Sequence, residues 1–316
     1  MKIIQIYITF TVFALILNSC EENFSPKDDY QEKYILYSII NTDSSYQTAV
    51  LQSSYNIDGY DPYTNTVTPL IQGADIRIRQ GDNVFFMRDS SAVRTDTSRY
   101  KTPVHFYYTD NFVLRGSDSL EIIATLPNGK KLYGITGLAN SIEFSKESDH
   151  VLPPEEKDFF SFIWNAPTSS SWYLPKFIFY YLKDGVRYSK EVPSGYRIEN
   201  GKWVAVYPAI TNNNIIRFQN SALDSALSQI STGDPNKSDY KIFGGVLTLL
   251  IFNESISNYY STTNGFLDDF TVRIDEADYT NIKGGFGIFG TFKKQVSGAI
   301  FAEEYIKSFG YTPGSN

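Results

Sequence analysis

The chain has 316 residues with 35 acidic and 28 basic side chains, which gives a formal net charge of −7 at pH 7. That balance argues against the large basic face with which nucleic-acid-binding domains neutralise phosphates, so no nucleic-acid partner is expected. Aromatic residues make up 16% of the chain and only 2 residues are methionine. This profile favours β-structure, where aromatic side chains pack well on a pleated surface.

The N-terminus has the pattern of a bacterial lipoprotein signal. Lys2 supplies a positive charge, and the apolar run 3–17 that follows is short for a membrane-spanning helix. The run ends in "LNSC", which matches the lipobox that directs lipid to the thiol of Cys20 and cleavage just before it. Because Cys20 is the only cysteine, it has no disulfide partner and lipidation gives it a role. We predict a signal peptide at 1–19 and an acyl-chain anchor (palmitate or a similar chain) at Cys20; the alternative is an ordinary signal peptide with an incidental cysteine.

Residues 20–32 are predicted to form an acidic tether behind the lipid. Glu21 and Glu22 directly follow the cysteine. A pair of acids at this place resembles the lipoprotein export signal of Bacteroidota, so the expected location is the outer membrane, lipid-anchored and exposed at the cell surface. A solvated spacer without an export role would have the same composition.

Residues 33–145 are predicted to form an immunoglobulin-like β-sandwich. Short alternating runs such as "DIRIRQGDNVFFM" are joined by turn pairs, of which Gly81-Asp82 and Asn128-Gly129 are the clearest. About seven such strands precede residue 145, which suits a sandwich of this kind. The charged segment 146–158, with Pro153-Pro154, is the predicted linker.

Residues 159–316 are predicted to form a second β-rich domain. Turn pairs at Asp184-Gly185 and Asn200-Gly201 again mark hairpins. The apolar residues of 221–230 recur at helical spacing, and 302–308 is a second short helix followed by Gly310 as a C-cap. The predicted fold class is therefore mainly β, with an immunoglobulin-like sandwich and then a β-rich domain that has one or two short helices.

The stretch "GGFGIFG", 284–290, contains the letters of a dinucleotide-binding fingerprint. That fingerprint requires a strand, a glycine turn and then a helix, with an acid about 20 residues on. Here "TFKKQVSGAIF" follows, which predicts a strand, so no nucleotide is expected to bind. We expect the glycines to lie in β-structure or at a bulge, with Phe286, Ile288 and Phe289 in the core of the second domain.

The C-terminal half resembles a known family. Segments 243–263, "FGGVLTLLIFNESISNYYSTT", and 270–291, "FTVRIDEADYTNIKGGFGIFGT", resemble the C-terminal hallmark of Bacteroidota lipoproteins catalogued as domain of unknown function 4249. The tyrosine pair and the "YTNIKGGFGIFG" block are the most specific parts, and the N-terminal half departs most from the family. The family has no established activity. Its members resemble outer-membrane lipoproteins that work beside TonB-dependent transporters, so the resemblance implies a non-enzymatic accessory or binding component with such a transporter as partner.

Catalytic motifs are scarce. His105 and His150 are the only histidines, and neither lies near a nucleophile motif. A cluster of acids lacks the spacing of a calcium loop and is more consistent with a solvent-facing strand. The residues of this cluster are weak candidates for a metal site or a hydrolytic site: Asp268, Asp269, Asp275, Glu276 and Asp278. We predict no enzymatic activity and no cofactor; a hydrolase with carboxylates from distant segments is the least favoured alternative.

The pair Trp172-Tyr173, which follows a polar "TSSS" loop, is the predicted ligand or partner contact. Exposed tryptophan and tyrosine dominate binding hot spots and can stack on sugar rings. A surface glycan-binding or adhesive module is therefore the second functional hypothesis. Most other aromatic residues are expected in the core.

Overall fold

The computed structural model of the protein describes residues 30–57, 61–116, 119–166, 171–263 and 279–314. Strands far outnumber helices in these ranges, which confirms the mainly β prediction. The signal peptide, Cys20 and most of the tether lie outside the described residues and stay predictions. None of the helices within the described ranges combines the length and the apolar composition needed to cross a bilayer.

The N-terminal half contains seven strands joined mostly by short turns, as the alternating runs predict. A 3₁₀ turn, Pro62–Thr64, lies between the second and third strands. The strands are β1 (Tyr34–Asn41), β2 (Gln47–Ser53), β3 (Asp75–Gln80), β4 (Asn83–Ala92), β5 (Val104–Thr109), β6 (Leu120–Thr125) and β7 (Lys131–Thr136).

The C-terminal half adds twelve strands and three α-helices among the described residues. Its strands are β8 (Glu143–Phe144), β9 (Val151–Leu152), β10 (Phe159–Asn165), β11 (Trp172–Lys183), β12 (Val186–Val192), β13 (Gly195–Glu199), β14 (Lys202–Val206), β15 (Ile215–Gln219), β16 (Lys241–Phe252), β17 (Ile282–Lys283), β18 (Phe286–Phe301) and β19 (Thr312–Pro313). Its helices are α1 (Asn220–Ile230), α2 (Glu254–Thr263) and α3 (Glu303–Ser308), with a 3₁₀ turn at Lys237–Asp239.

Two of these helices match the sequence predictions and one does not. Helices α1 and α3 fall on the predicted segments 221–230 and 302–308. Helix α2 was missed because "ESISNYYSTT" lacks a clear apolar stripe at helical spacing. Its start is set by Asn253, whose side-chain oxygen accepts a bond from Ile256 N at 3.3 Å in the manner of an N-cap.

One mixed sheet runs through both halves of the chain. Its hydrogen-bonded order is β12-β11-β16-β18-β1-β2-β5-β4-β3-β6-β7-β17, with β19 attached to β16 and β9 to β18. The pairing shows no split between an immunoglobulin-like sandwich and a second domain, so that finer part of the predicted fold class stays a prediction. Two small sheets, β15-β10-β8 and the hairpin β13-β14, are also found in the described ranges.

The strand that joins the halves is β18. Its first part, from Phe286 to Phe292, pairs in parallel with β1. Its second part, from Phe292 to Ala299, pairs antiparallel with β16. A strand of 16 residues spans roughly 50 Å, long enough to border two hydrophobic cores in succession.

The first core lies between β1–β7 and the start of β18. It is built from residues 34–132 together with Ile282 and Phe289 from the C-terminal block. The second core lies between β11, β16, β10 and helix α1, and a smaller cluster around Trp164 and Tyr173 adjoins it. Ile282 and Phe289, from the C-terminal half of the chain, therefore complete the core of the N-terminal half.

The predicted linker, 146–158, is held against the second core. Leu152 is buried there, and β9 pairs with β18. Asp149 accepts hydrogen bonds from Ser161 N at 2.8 Å and from Lys157 Nζ at 2.9 Å. The segment is thus a packed connection, and the domain boundary that it marks stays a prediction.

The glycine block is structural, although it serves a different core from the one expected. Gly287 has φ +113°, and a β-carbon there would lie 2.1 Å from Leu36 O on β1. The side-chain amide of Asn281 is hydrogen-bonded to β18: it donates to Phe289 O at 2.6 Å and accepts from Phe289 N at 2.9 Å. Phe289 is buried as predicted, but in the first core, while Phe286 is 42% exposed. The reason is that β18 begins beside β1 rather than beside β16.

Candidate functional site

The predicted contact pair is divided by the pleat of β11. Tyr173 is fully buried, with its ring packed edge-on to Trp164 at a centroid distance of 5.1 Å. Trp172, the next residue, is half-buried on the opposite side of the strand. The Tyr173 ring therefore presents no surface to a ligand in this structure, and a contact at Trp172 stays a prediction.

The two histidines form no metal-binding group among the described residues, and the acidic cluster lies outside those residues. His150 lies within 3.1 Å of Gly298 O through Nδ1 and is exposed, while His105 is half-buried in β5. In residues 30–314, outside the undescribed gaps, no group of three His, Cys, Asp or Glu is placed to hold a metal ion. The acidic candidates lie outside the described residues, as Asp268, Asp269, Asp275, Glu276 and Asp278.

A strongly exposed aromatic face belongs to the hairpin β13-β14. Its turn residues, Asn200 and Gly201, have φ of 50° and 75°, the two positive values of the predicted type I′ turn. Ile198 and Trp203 stand directly opposite each other in the register. Ile198 is 63% exposed and Trp203 is 72% exposed. A large apolar side chain left this open to water is the informative kind of surface residue.

Helix α1 faces this hairpin with a polar stripe. Its apolar side, including Leu223 and Leu227, is buried in the second core. Ser221, Ser225 and Gln229 recur every four residues and so lie on another side of the helix. The amphipathic pattern that packs the helix therefore also turns hydroxyl and amide groups toward the hairpin.

A groove of about 560 Å³ separates the hairpin from the helix. This volume lies within the range of small-molecule sites, roughly 300–1,000 Å³. Aromatic rings form one wall, and amides and hydroxyls form the other. The lining residues are Tyr196, Trp203, Gln219, Ser221, Ser225 and Gln229.

The polar wall is positioned by local contacts. Gln219 ends β15, and its backbone N–H donates to Ser194 O at 3.0 Å. Its side-chain amide lies against Gly195, where a β-carbon would come within 3.0 Å of Gln219 Cδ. Gln229 reaches across the groove to the hydroxyl of Tyr196 at 3.4 Å, a long bond that leaves most of the amide's hydrogen-bonding capacity available.

The groove lining is electrically neutral. The charged residues of β13, Arg197 and Glu199, alternate with Tyr196 and Ile198 and therefore project from the other face of the hairpin. There they form an ion pair with each other. The groove can thus supply stacking and neutral hydrogen bonds to a ligand, but no counter-charge from its own lining.

A second groove, of about 580 Å³, lies on the outer face of β11, β16 and β18. Its floor contains Gly244 and Gly298, and its walls are mainly apolar side chains such as Phe243 and Ile300. Arg187 stands at this groove with its guanidinium 4.4 Å from the ring centroid of Tyr180. The first groove has more groups that could orient a ligand, so it is the candidate site.

Sequence reasoning identified the turn of the hairpin and missed its tryptophan. The signal was present, because a period of two from the Asn200-Gly201 turn puts Tyr196, Ile198 and Trp203 on one face. What the sequence lacked was any sign that Ile198 and Trp203 on that face would be left exposed.

A scan against models of known protein families found none that matches this chain. A search of the curated proteins also found no match.

Proposed function

We propose that this protein is a lipid-anchored, non-catalytic binding protein of the bacterial outer membrane that serves as an accessory to a TonB-dependent transporter. The observation that carries the binding role is the groove between the β13-β14 hairpin and helix α1. The location rests on the lipobox that ends at Cys20, and the transporter on the resemblance of 243–263 and 270–291 to the lipoprotein family. The immunoglobulin-like β-sandwich at residues 33–145 is part of the same proposal.

The chemistry of the groove supports binding rather than acid–base catalysis. General acid–base work needs a titratable group near the operating pH, most often an imidazole or a carboxyl. The groove instead offers the amides of Gln219 and Gln229, two serine hydroxyls and two aromatic rings. Such groups orient and hold a ligand without transferring protons at neutral pH.

The transporter association is tested on the full-length lipoprotein with a C-terminal tag. Membranes are solubilised in a mild detergent, and the tagged chain is recovered and analysed by native electrophoresis and mass spectrometry. We expect a TonB-dependent transporter to co-purify with the tagged chain. The Cys20→Ser variant of the chain should be lost from the membrane fraction. Recovery of the chain alone from intact membranes, over several mild detergents, would count against the accessory role.

The second candidate function is a surface glycan-binding or adhesive module. The observation that favours it is the exposure of Trp203 beside amide and hydroxyl groups. A hydrolase with carboxylates from distant segments is the third candidate. It is tested by the release of reducing ends from polysaccharides, since a true hydrolase must generate new ends with time.

A further inference from the structure

We propose that the groove between the β13-β14 hairpin and helix α1 binds a neutral saccharide, with Trp203 as the stacking platform. The proposal rests on the binding role given to this groove and adds the class of its ligand. It is argued from the aromatic wall, from the polar wall and from the absence of charge in the lining.

The aromatic wall matches the apolar face of a sugar ring. A pyranose presents axial C–H groups on one face, and a flat indole covers such a face while its N–H stays at the edge. Trp203 is 72% exposed, so stacking would remove much of its apolar surface from water. Ile198, directly opposite on the same face of the hairpin, widens the apolar strip across the two strands. The strip is therefore wider than one ring.

The polar wall matches the rim of the same ring. Sugar hydroxyls both donate and accept, and a primary amide can do the same with one side chain. Gln219 and Gln229 supply two such amides, and Ser221 and Ser225 supply hydroxyl groups. The hydroxyl of Ser225 donates to Ser221 O at 2.8 Å, which leaves its lone pairs free to accept from a ligand.

The neutral lining selects against charged ligands. A carboxylate, phosphate or ammonium group in the groove would lose hydration without meeting an opposite charge from the six lining residues. Arg197 and Glu199 are paired with each other on the other face of the hairpin. An uncharged polyhydroxylated ligand meets no such penalty.

The test uses the full-length lipoprotein in a detergent whose head group carries no sugar. Maltohexaose, cellohexaose, xylohexaose and mannohexaose serve as neutral probes, and an oligogalacturonate serves as the anionic comparison. Binding is followed by calorimetry and by tryptophan fluorescence, to which Trp203 contributes the most exposed indole of three. At least one neutral probe should bind with a Kd between micromolar and millimolar.

Two variants and one control locate the site. Trp203→Ala should weaken binding at least about tenfold, as expected for an aromatic hot spot, and Gln229→Ala should weaken it by a smaller factor. The matched control, Phe86→Ala, removes an exposed aromatic side chain on β4, outside the groove, and should leave the affinity unchanged. Melting curves of all variants check that each is folded, and Trp203 is exposed enough for its replacement to be tolerated.

The proposal is overturned if no neutral probe binds at about 10 mM, if only the anionic probe binds, or if Trp203→Ala binds as tightly as the wild type. These results are independent of the transporter experiment. If a transporter co-purifies but no saccharide binds, only the saccharide inference is refuted. If a saccharide binds but no transporter co-purifies, only the accessory role is refuted.

Discussion

Replacement of Gly287 by alanine tests the structural interpretation of the glycine block. The φ of +113° at Gly287 is a value that L side chains rarely adopt, and forcing one there costs about 1–3 kcal/mol. The added β-carbon would also lie 2.1 Å from Leu36 O, 2.8 Å from Leu36 C and 2.9 Å from Leu36 N. Leu36 is fully buried on β1, so the backbone there has little room to retreat.

The two penalties act together on the joint between β1 and β18. Relief of the clash requires the two strands to separate, which weakens the ladder that Leu36 and Gly287 share. We expect Gly287→Ala to lower the free energy of unfolding by about 3 kcal/mol or more. For a chain of this size that is a fall in Tm of at least about 5 °C.

The assay is a thermal melt of wild type, Gly287→Ala and the matched control Gly298→Ala. Gly298 lies on the same strand, and a β-carbon there would meet nothing within 4 Å. The control should therefore melt within about 2 °C of the wild type. Equal melting temperatures for the two variants would refute the steric argument.

The same melts test nucleotide binding. A ligand that binds the folded state raises its Tm by mass action, so NAD or ATP should leave the wild-type Tm unchanged if none binds. A rise in the wild type that is lost in Gly287→Ala would show that the glycines form a nucleotide site after all.

Three further predictions follow from other parts of the chain. Asn253→Ala should lower the free energy of unfolding by about 2–4 kcal/mol in urea titrations. The reason is that the buried side-chain amide of Asn253 donates to Thr136 Oγ1 and Gly137 O and accepts from Thr291 N, which links the two halves of the chain. The control, Asn213→Ala, is at an exposed loop position and should change the free energy of unfolding little. At Asp149, burial raises the carboxyl pKa, but hydrogen bonds from Lys157 and Ser161 outweigh it and hold the pKa below its usual range. The stabilisation is therefore present above the ordinary carboxyl pKa of about 4 and is lost as the pH falls below it. Asp149→Asn should accordingly destabilise the protein more at pH 7 than in acid, and an equal loss at both would contradict this. Cys20→Ser should abolish incorporation of radiolabelled palmitate and release the chain from membranes; continued labelling would place the lipid elsewhere.

Local structure was predictable wherever it depends on a few adjacent residues. Asp184-Gly185 and Asn200-Gly201 both take the positive φ values of type I′ turns, because these residue types adopt them at low cost. Helix α1 was predictable because its apolar residues recur at helical spacing and one side of it is buried.

The candidate site was only half predictable. The sequence marks Trp172, Tyr173 and Trp203 alike as aromatic residues on strands beside turns or loops. Tyr173 is buried because it points into the cluster around Trp164, whereas Trp203 is exposed because its face of the hairpin borders the open groove beside helix α1. Burial depends on what covers a face, and the covering elements come from distant parts of the chain.

The sequence by itself determined the mainly β class, the positions of the hairpin turns, and the place of the glycine block in β-structure. Only the tertiary structure decided that β18 pairs with β1, where Thr42 N donates to Phe292 O across 250 residues of sequence separation. A period of two tells which side chains share a face but not which strand lies alongside. That choice is made by steric fit, here the close approach of Gly287 to Leu36, and by the shared burial of Phe289 with β1–β7.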